Sequence, residues 1–356
     1  MDNEKKPIKV AFAATNQYIQ EVIPQPKEKA VRGYDFMAWG DDNKYPDFLY
    51  ELHTNCATLQ SIINGCVDYI MGDEIKIVSG KMFDNFDYVL QKVVEDYLIF
   101  GAGYVNVIKD KIGRVSNIYW LDARKIRSNE KGDVFYYSDD WSKSYGRVNT
   151  IKLPLFKANA KEGSSVYVMK RTQSRGTYPT PLWAAAIKSV VTEVEIGKYH
   201  LNEIFNNFTP SVVINFNNGV PTDEDKNEIE RTMREKFTGS ENAGRFLLTF
   251  NDSKDNAVTV ERLSTDDYDE RYSSMAKRVR SEIFTAFRAN PNLFGLPTEN
   301  LGFNNEEYET TFKLFNRTVI KPIQRDLINV IKAFGTEIEI IPFSMNNGEK
   351  TVENNE

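Results

Sequence analysis

Gly176-Thr177-Tyr178-Pro179-Thr180-Pro181-Leu182-Trp183-Ala184-Ala185-Ala186 divides the chain into two halves of different character. Two prolines and a glycine rule out a helix through Pro179, while Thr180-Pro181 offers a hydroxyl N-cap followed by proline at the first helical position. Beyond it Trp183, Ile187, Val190, Val191, Val194, Leu201, Ile204 and Phe205 recur at helical spacing. The pattern predicts a helix over 180–207, roughly 27 residues or about 40 Å long. A strand at 211–216, a short helix at 222–237 and two strands at 246–250 and 258–263 follow. Thr265 with the acidic start Asp266 to Glu270 then opens a second long helix to residue 290, closed by Asn290-Pro291. Two long helices therefore enclose a small β-α-β-β module.

The first half reads differently. Ile23-Pro24-Gln25-Pro26 is an extended arm, and Trp39-Gly40-Asp41-Asp42-Asn43-Lys44-Tyr45-Pro46 is rich in turn formers. One helix is expected from Asp47 to Met71 and another from Phe83 to Phe100. Strands are expected at 75–79, 104–109, 117–121, 134–138 and 166–171. Residues 1–178 form one α+β domain on this reading. After a loop at 292–306 a third long helix runs over 306–334, with Pro322 kinking it near 318–322. Residues 337–341 alternate like an edge strand, and the tail 342–356 is polar and acidic.

Composition narrows the function classes. The chain of 356 residues is 41% hydrophobic and 27% charged, as folded proteins are, and no apolar run approaches the roughly 18 residues of a membrane span. No secretory h-region follows the N-terminus. Cys56 and Cys66 are too few for a structural zinc site and read as reduced thiols. The net charge of −6 disfavours a tight DNA binder, which needs a surplus of Lys and Arg, and leaves room for a surface past which DNA slides.

Catalytic signatures are weak. Gly101-Ala102-Gly103-Tyr104-Val105-Asn106 lacks the third glycine of a dinucleotide fingerprint and lies between helix and strand, so it reads as a helix end with close backbone packing. His53 and His200 are the only histidines, neither beside a nucleophile motif. The pairs Asp41-Asp42, Asp139-Asp140 and Asp266-Asp267 can bind Mg²⁺, but turn polarity and helix-dipole complementarity explain them too. No metal and no cofactor are expected. Lys277, Arg278 and Arg280, with Arg288 further on, make a basic stretch on the second long helix. It is either ordinary helix-surface charge or a band of weak phosphate attraction or subunit contact.

Five stretches in order resemble the portal (head–tail connector) proteins of tailed bacteriophages. They are Gly176 to Ala186; Phe205-Asn206-Asn207-Phe208-Thr209-Pro210-Ser211-Val212-Val213-Ile214; Gly239-Ser240-Glu241-Asn242-Ala243-Gly244-Arg245; Phe287-Arg288-Ala289-Asn290-Pro291-Asn292-Leu293-Phe294-Gly295; and Asn304-Asn305-Glu306-Glu307. The first half matches more loosely, through Trp39-Gly40-Asp41-Asp42-Asn43 and the entry to the strand at 101–107. The resemblance implies a ring of twelve copies at a capsid vertex, through which double-stranded DNA is packaged and released without sequence reading. Its partners would be the terminase motor, a head–tail adaptor and the major capsid protein, assembled in the host cytoplasm into a virion. Residues 1–178, with the strand at 337–341, would be the wing, 179–209 and 264–291 the stem, and 210–263 the clip with Asn242, Gly244 and Arg245. Residues 292–306 would be a tunnel loop presenting Asn300, Asn304, Asn305 and Glu306 to DNA, followed by the kinked wing helix and edge strand of 307–341. Little follows residue 341, so the family's helical crown is expected to be reduced or absent. Two rivals remain: another ring-forming connector, or a metal-dependent nucleic-acid-processing enzyme built on Asp139 and Asp140.

Overall fold

The computed structural model describes residues 23–31, 33–141, 149–171, 176–205, 212–216, 246–250, 266–296 and 305–343. They belong to two compact units, one of residues Met1–Lys188 and Ala286–Glu356, the other of Ser189–Thr285.

The larger unit begins with an antiparallel hairpin, β1 (Glu28–Ala30) and β2 (Met37–Trp39). A small apolar cluster of Val31, Phe36, Ala38, Tyr136 and Trp141 goes with it, with Phe36 edge-on to Trp141 at 5.0 Å. The single helix expected from Asp47 to Met71 is two helices, α1 (Tyr45–Asn55) and α2 (Ala57–Met71). The break is Cys56, whose backbone is extended (φ −106°, ψ 107°). Its N–H still closes α1 on Leu52 O, while its Sγ accepts from Leu59 N at 3.5 Å and caps α2. One residue thus satisfies orphan groups of both helix ends, and α2 buries Leu59, Ile62, Ile63, Cys66 and Ile70.

Strand β3 (Glu74–Ser79) follows, then α3 (Phe86–Phe100), β4 (Ala102–Lys109), β5 (Val115–Leu121), β6 (Ile126–Ser128), β7 (Val134–Tyr137), β8 (Ile151–Pro154) and β9 (Gly163–Lys170). Two antiparallel sheets result, ordered β5-β4-β9 and β6-β7-β8. Gly101 caps α3 in the left-handed region (φ 88°), and a Cβ there would lie 2.7 Å from Thr180 O; one on Gly103 would lie 2.3 Å from Val93 O. The Gly-Ala-Gly stretch is the helix end with close backbone packing that its spacing suggested.

The segment after Gly176 departs from expectation. Helix α4 is Ile187–Phe205, 19 residues, preceded by a 3-10 turn at Ala184–Ala186. Thr180 caps nothing: its carbonyl accepts from Arg171 Nη1 and sits against Gly101. Trp183 is fully buried, donating from Nε1 to Leu98 O at 3.2 Å. Long-range bonds hold 176–183 out of helix until Trp183 is seated.

In the smaller unit β10 (Val212–Phe216) and β11 (Phe246–Phe250) form a parallel pair, Val212 opposite Phe246. A parallel pair needs a long crossover, here the chain between residues 216 and 246. The expected helix at 222–237 and strand at 258–263 lie outside the described residues. The second long helix, α5, is Asp266–Phe287, ending before the expected residue 290, while its expected start at Thr265 lies outside the described residues. Arg288 takes a left-handed conformation (φ 55°) just after its end.

The expected loop at 292–306 is structured where it is described: Pro291–Phe294 is a 3-10 turn, with Asn290 Oδ1 accepting from Asn292 N. The third helix comes in three parts, α6 (Asn305–Phe315), a π turn (Asn316–Ile320) and α7 (Lys321–Ala333). Pro322 lacks an N–H and its ring would strike the carbonyl four residues back; the widened turn immediately before it relieves that clash. Finally β12 (Glu337–Ile341) pairs antiparallel with β3, Ile338 opposite Ile77.

Candidate functional site

Of the basic stretch, Lys277, Arg278 and Arg280 are all exposed on α5. Arg278 Nε donates to Glu282 Oε1 at 2.9 Å, one helical turn on, and Ser189 Oγ donates to Glu282 Oε2 at 2.6 Å. The serine hydroxyl first, and Arg278 second, hold the Glu282 carboxyl below the usual carboxylate range. Arg278 is therefore partly neutralised within its own helix, and Lys277 also has a partner. The stretch is weaker as a phosphate ligand than three unopposed cations.

Asn305 and Glu306 begin α6. Asn300 and Asn304, and likewise Asn242, Gly244 and Arg245, lie outside the described residues.

Both flanks of residues 297–304 are pinned to one place. Leu293 is buried and its carbonyl accepts from Tyr69 Oη at 2.7 Å. Phe294 packs against α2 where a Cβ on Gly65 would come within 2.7 Å of its ring. On the far flank, Phe312 and Phe315 of α6 lie 5.5 and 6.2 Å from the Tyr69 ring, and Phe294 and Phe315 meet at 6.0 Å. Gln324 of α7 donates from Nε2 to Tyr69 O and Ile70 O. Burial pushes the Tyr69 hydroxyl well up. Tyr69 thus clamps the two ends of the segment that the resemblance assigns to DNA. Sequence reasoning missed it; the available signal was Gly65 inside an apolar helix, where glycine costs about 1 kcal/mol unless something approaches closely.

A second junction joins two of the motifs. Glu28 accepts from Thr177 N at 2.9 Å and Tyr178 N at 2.8 Å, while Lys170 Nζ donates to Gly176 O and Thr177 O. The Tyr178 ring stacks on Trp39, its hydroxyl donates to Met37 O and accepts from Ser128 N. Asn43, at φ 63°, accepts at Oδ1 from Trp39 N and from Arg127 Nε. Arg127 is fully buried and also donates to Asn43 O, Arg124 O and Ile126 O, with its guanidinium 4.9 Å from the Trp141 ring. The turn 39–43 is a side-chain acceptor for a buried guanidinium.

Asp139, one of the two carboxylates of the enzyme rival, is otherwise engaged. Asp139 Oδ1 accepts from Lys125 Nζ at 2.8 Å and Tyr137 Oη at 3.0 Å, bonds that lower its pKa. Asp41 is held low by Lys27, and Asp42 accepts from Lys44 N. Among the described residues no three His, Cys, Asp or Glu side chains come together as a metal site, and no helix is long and apolar enough to cross a membrane.

The family model described as "Phage portal protein" matches residues 85–333, which takes in described parts of both units. The chain belongs to the phage portal protein family. Its mixed helix-and-strand fold is that of phage portal structures. It is similar to an HK97-family phage portal protein from Corynebacterium diphtheriae, at 10% identity and a TM-score of 0.51, over 82% of this chain and 95% of that one. It is also similar to a chain in the neck of an empty gene transfer agent particle solved with C6 symmetry (14% identity, TM-score 0.52, 84% of each chain). A chain in the neck of the native particle solved with C12 symmetry matches at 15% identity and TM-score 0.50 over 85% of each chain. No curated protein matches it. At such identities the likeness is one of fold, and the portal family is a family of structural proteins.

Proposed function

We propose that copies of this portal-family chain close into a ring of twelve at one capsid vertex of a virion, forming the passage for double-stranded DNA. The observation that carries this reading is the family match, which is continuous from residue 85 to 333 and so spans the module as well as the surrounding domain. In the ring, residues 1–178 with 337–341 act as wing, 179–209 and 264–291 as stem, 210–263 as clip, 292–306 as tunnel loop and 307–341 as the interrupted wing helix with its edge strand. The clip, with Asn242, Gly244 and Arg245, meets the terminase and later the head–tail adaptor, and the outer face meets the major capsid protein.

A conduit must not hold its cargo, because each fixed phosphate contact releases counterions and adds affinity. The net charge of −6 and the partnering of Arg278 by Glu282 both favour weak, sliding contact. Asn300, Asn304 and Asn305 offer polar, uncharged contacts shared with water. The protein has no catalytic step in this role and needs no cofactor; the terminase supplies the work.

Mass photometry with negative-stain imaging of the purified chain tests the reading. Twelve copies of 40.9 kDa give annular particles of about half a megadalton. Particles without a central hole, in the presence of capsid protein as well as alone, overturn it, as does unaided DNA cleavage or nucleotide hydrolysis.

A further inference from the structure

His53 lies in the last turn of α1 and is buried, 4% exposed, with no hydrogen-bond partner among the described residues on either ring nitrogen. An unpartnered imidazole in the interior is costly, and the cost rises steeply if the ring is charged. Two charged groups act on the ring, Glu95 and Lys92, both from α3. They are paired to each other, Lys92 Nζ to Glu95 Oε2 at 2.6 Å. On its own helix the ring faces Tyr50 at 6.2 Å, and the Arg124 guanidinium lies 4.1 Å from the far partner of that contact, the Tyr50 ring. Burial, the largest influence, lowers the His53 pKa; Glu95 opposes this and Lys92 adds to it.

We propose that His53 is an acid-operated latch between α1 and α3: neutral, its ring stays packed in the helix interface; protonated, it draws the Glu95 carboxylate from Lys92 and loosens the two helices. The proton comes from solvent and no bond other than N–H is made. Glu95 and the negative end of α1 favour the imidazolium, whereas burial and Lys92 favour the neutral ring, so the element has two states of different charge. The sign follows from the lowered pKa. The neutral ring's contribution is complete above the unfolded-state value of about 6.5 and is lost as pH falls below it.

Histidine C2-hydrogen exchange read by mass spectrometry on the full chain gives the midpoint of His53, expected below the unperturbed imidazole value of about 6.5. Backbone amide exchange in 45–55 and 86–100, corrected for intrinsic rates, is expected to accelerate between pH 7.5 and 5.5. Over that window the acceleration is at most about tenfold, because only about one pH unit of it lies below the unfolded-state value of about 6.5. His53→Leu and His53→Gln should abolish the pH dependence in both segments. Glu95→Gln, which leaves His53 in place, should lower the His53 midpoint further. A His53 midpoint at or above about 6.5, or the same pH-dependent opening in wild type, His53→Leu and Glu95→Gln, overturns the proposal.

Discussion

Trp39 and Tyr178 stack face to face, their ring centroids 4.4 Å apart and their planes 5° from parallel. The contact joins the turn at 39–43 to the stretch at 176–186, two motifs far apart in the chain that carry the family likeness. It explains why each contains its aromatic residue: the stack seats the segment that leads into α4.

Removing the Tyr178 hydroxyl alone should be felt. Tyr178→Phe keeps the stack but leaves Ser128 N and Met37 O without their partner. A loss of about 1–3 kcal/mol is expected in urea unfolding. Trp39→Ala, which also empties a buried volume, should cost about 3–5 kcal/mol. Equal stability of wild type and Tyr178→Phe would contradict the bonding described.

Arg127 should not tolerate lysine. Its guanidinium serves Asn43 Oδ1 and the carbonyls of Asn43, Arg124 and Ile126 in one buried place, and an ammonium has three protons and a different geometry. Arg127→Lys and Arg127→Met are both expected to lower stability, by about 3–5 kcal/mol where acceptors are stranded. Thermal unfolding checks this, with Lys76→Met, an exposed cation of β3, as the control.

Two helix glycines should respond with opposite sign. Gly197→Ala in α4 meets nothing within 4 Å and should stabilise by up to about 1 kcal/mol through helix propensity. Gly65→Ala drives a methyl into the Phe294 ring and should destabilise despite the same propensity gain. A double-mutant cycle with Phe294→Leu should recover part of the loss. If Gly65→Ala is as stable as wild type, the clamp at Tyr69 does not need that close approach.

Asp96 gives a pH dependence opposite to that of His53. The carboxyl is fully enclosed, accepting from Trp120 Nε1 and Ala123 N. Burial raises its pKa well above the ordinary carboxylate value, outweighing the Trp120 bond. A raised folded pKa means the protonated form fits best, so this contribution is present below about pH 3.9 and lost as pH rises through the folded value. Asp96→Asn should therefore gain on wild type between pH 5 and 8 in urea midpoint. A constant difference across that range would refute the assignment.

Much of the larger unit was legible in residue order. The helix ending at Phe100, the strand entry at Gly101–Gly103 and the late strand at 337–341 follow from periodicity and glycine placement, because those signals are local. The Cys56 break was not: Thr54-Asn55-Cys56 are weak helix formers but carry no glycine or proline to mark a stop, and the Sγ cap on Leu59 N is visible only in the fold. Thr180-Pro181 misled for the converse reason, a good local cap losing to bonds from Arg171 and Trp183. Pro322 announced a disturbance, but a π turn was one of several ways to absorb it. Among the site residues, the basic stretch on α5 was visible, while its neutralising partner Glu282 and the clamp at Tyr69 were not, since neither has a distinctive neighbour in sequence.

The amino-acid order alone determined the α+β class, the helices at Ile187–Phe205 and Asp266–Phe287 and the family, since these rest on periodicity and on short motifs kept in sequence. Tertiary structure decided where helices begin and break, that β10 and β11 run parallel, and which side chain holds both flanks of residues 297–304. Those outcomes depend on hydrogen bonds and ring contacts between residues distant in the chain, whose free energies exceed the local preferences they override.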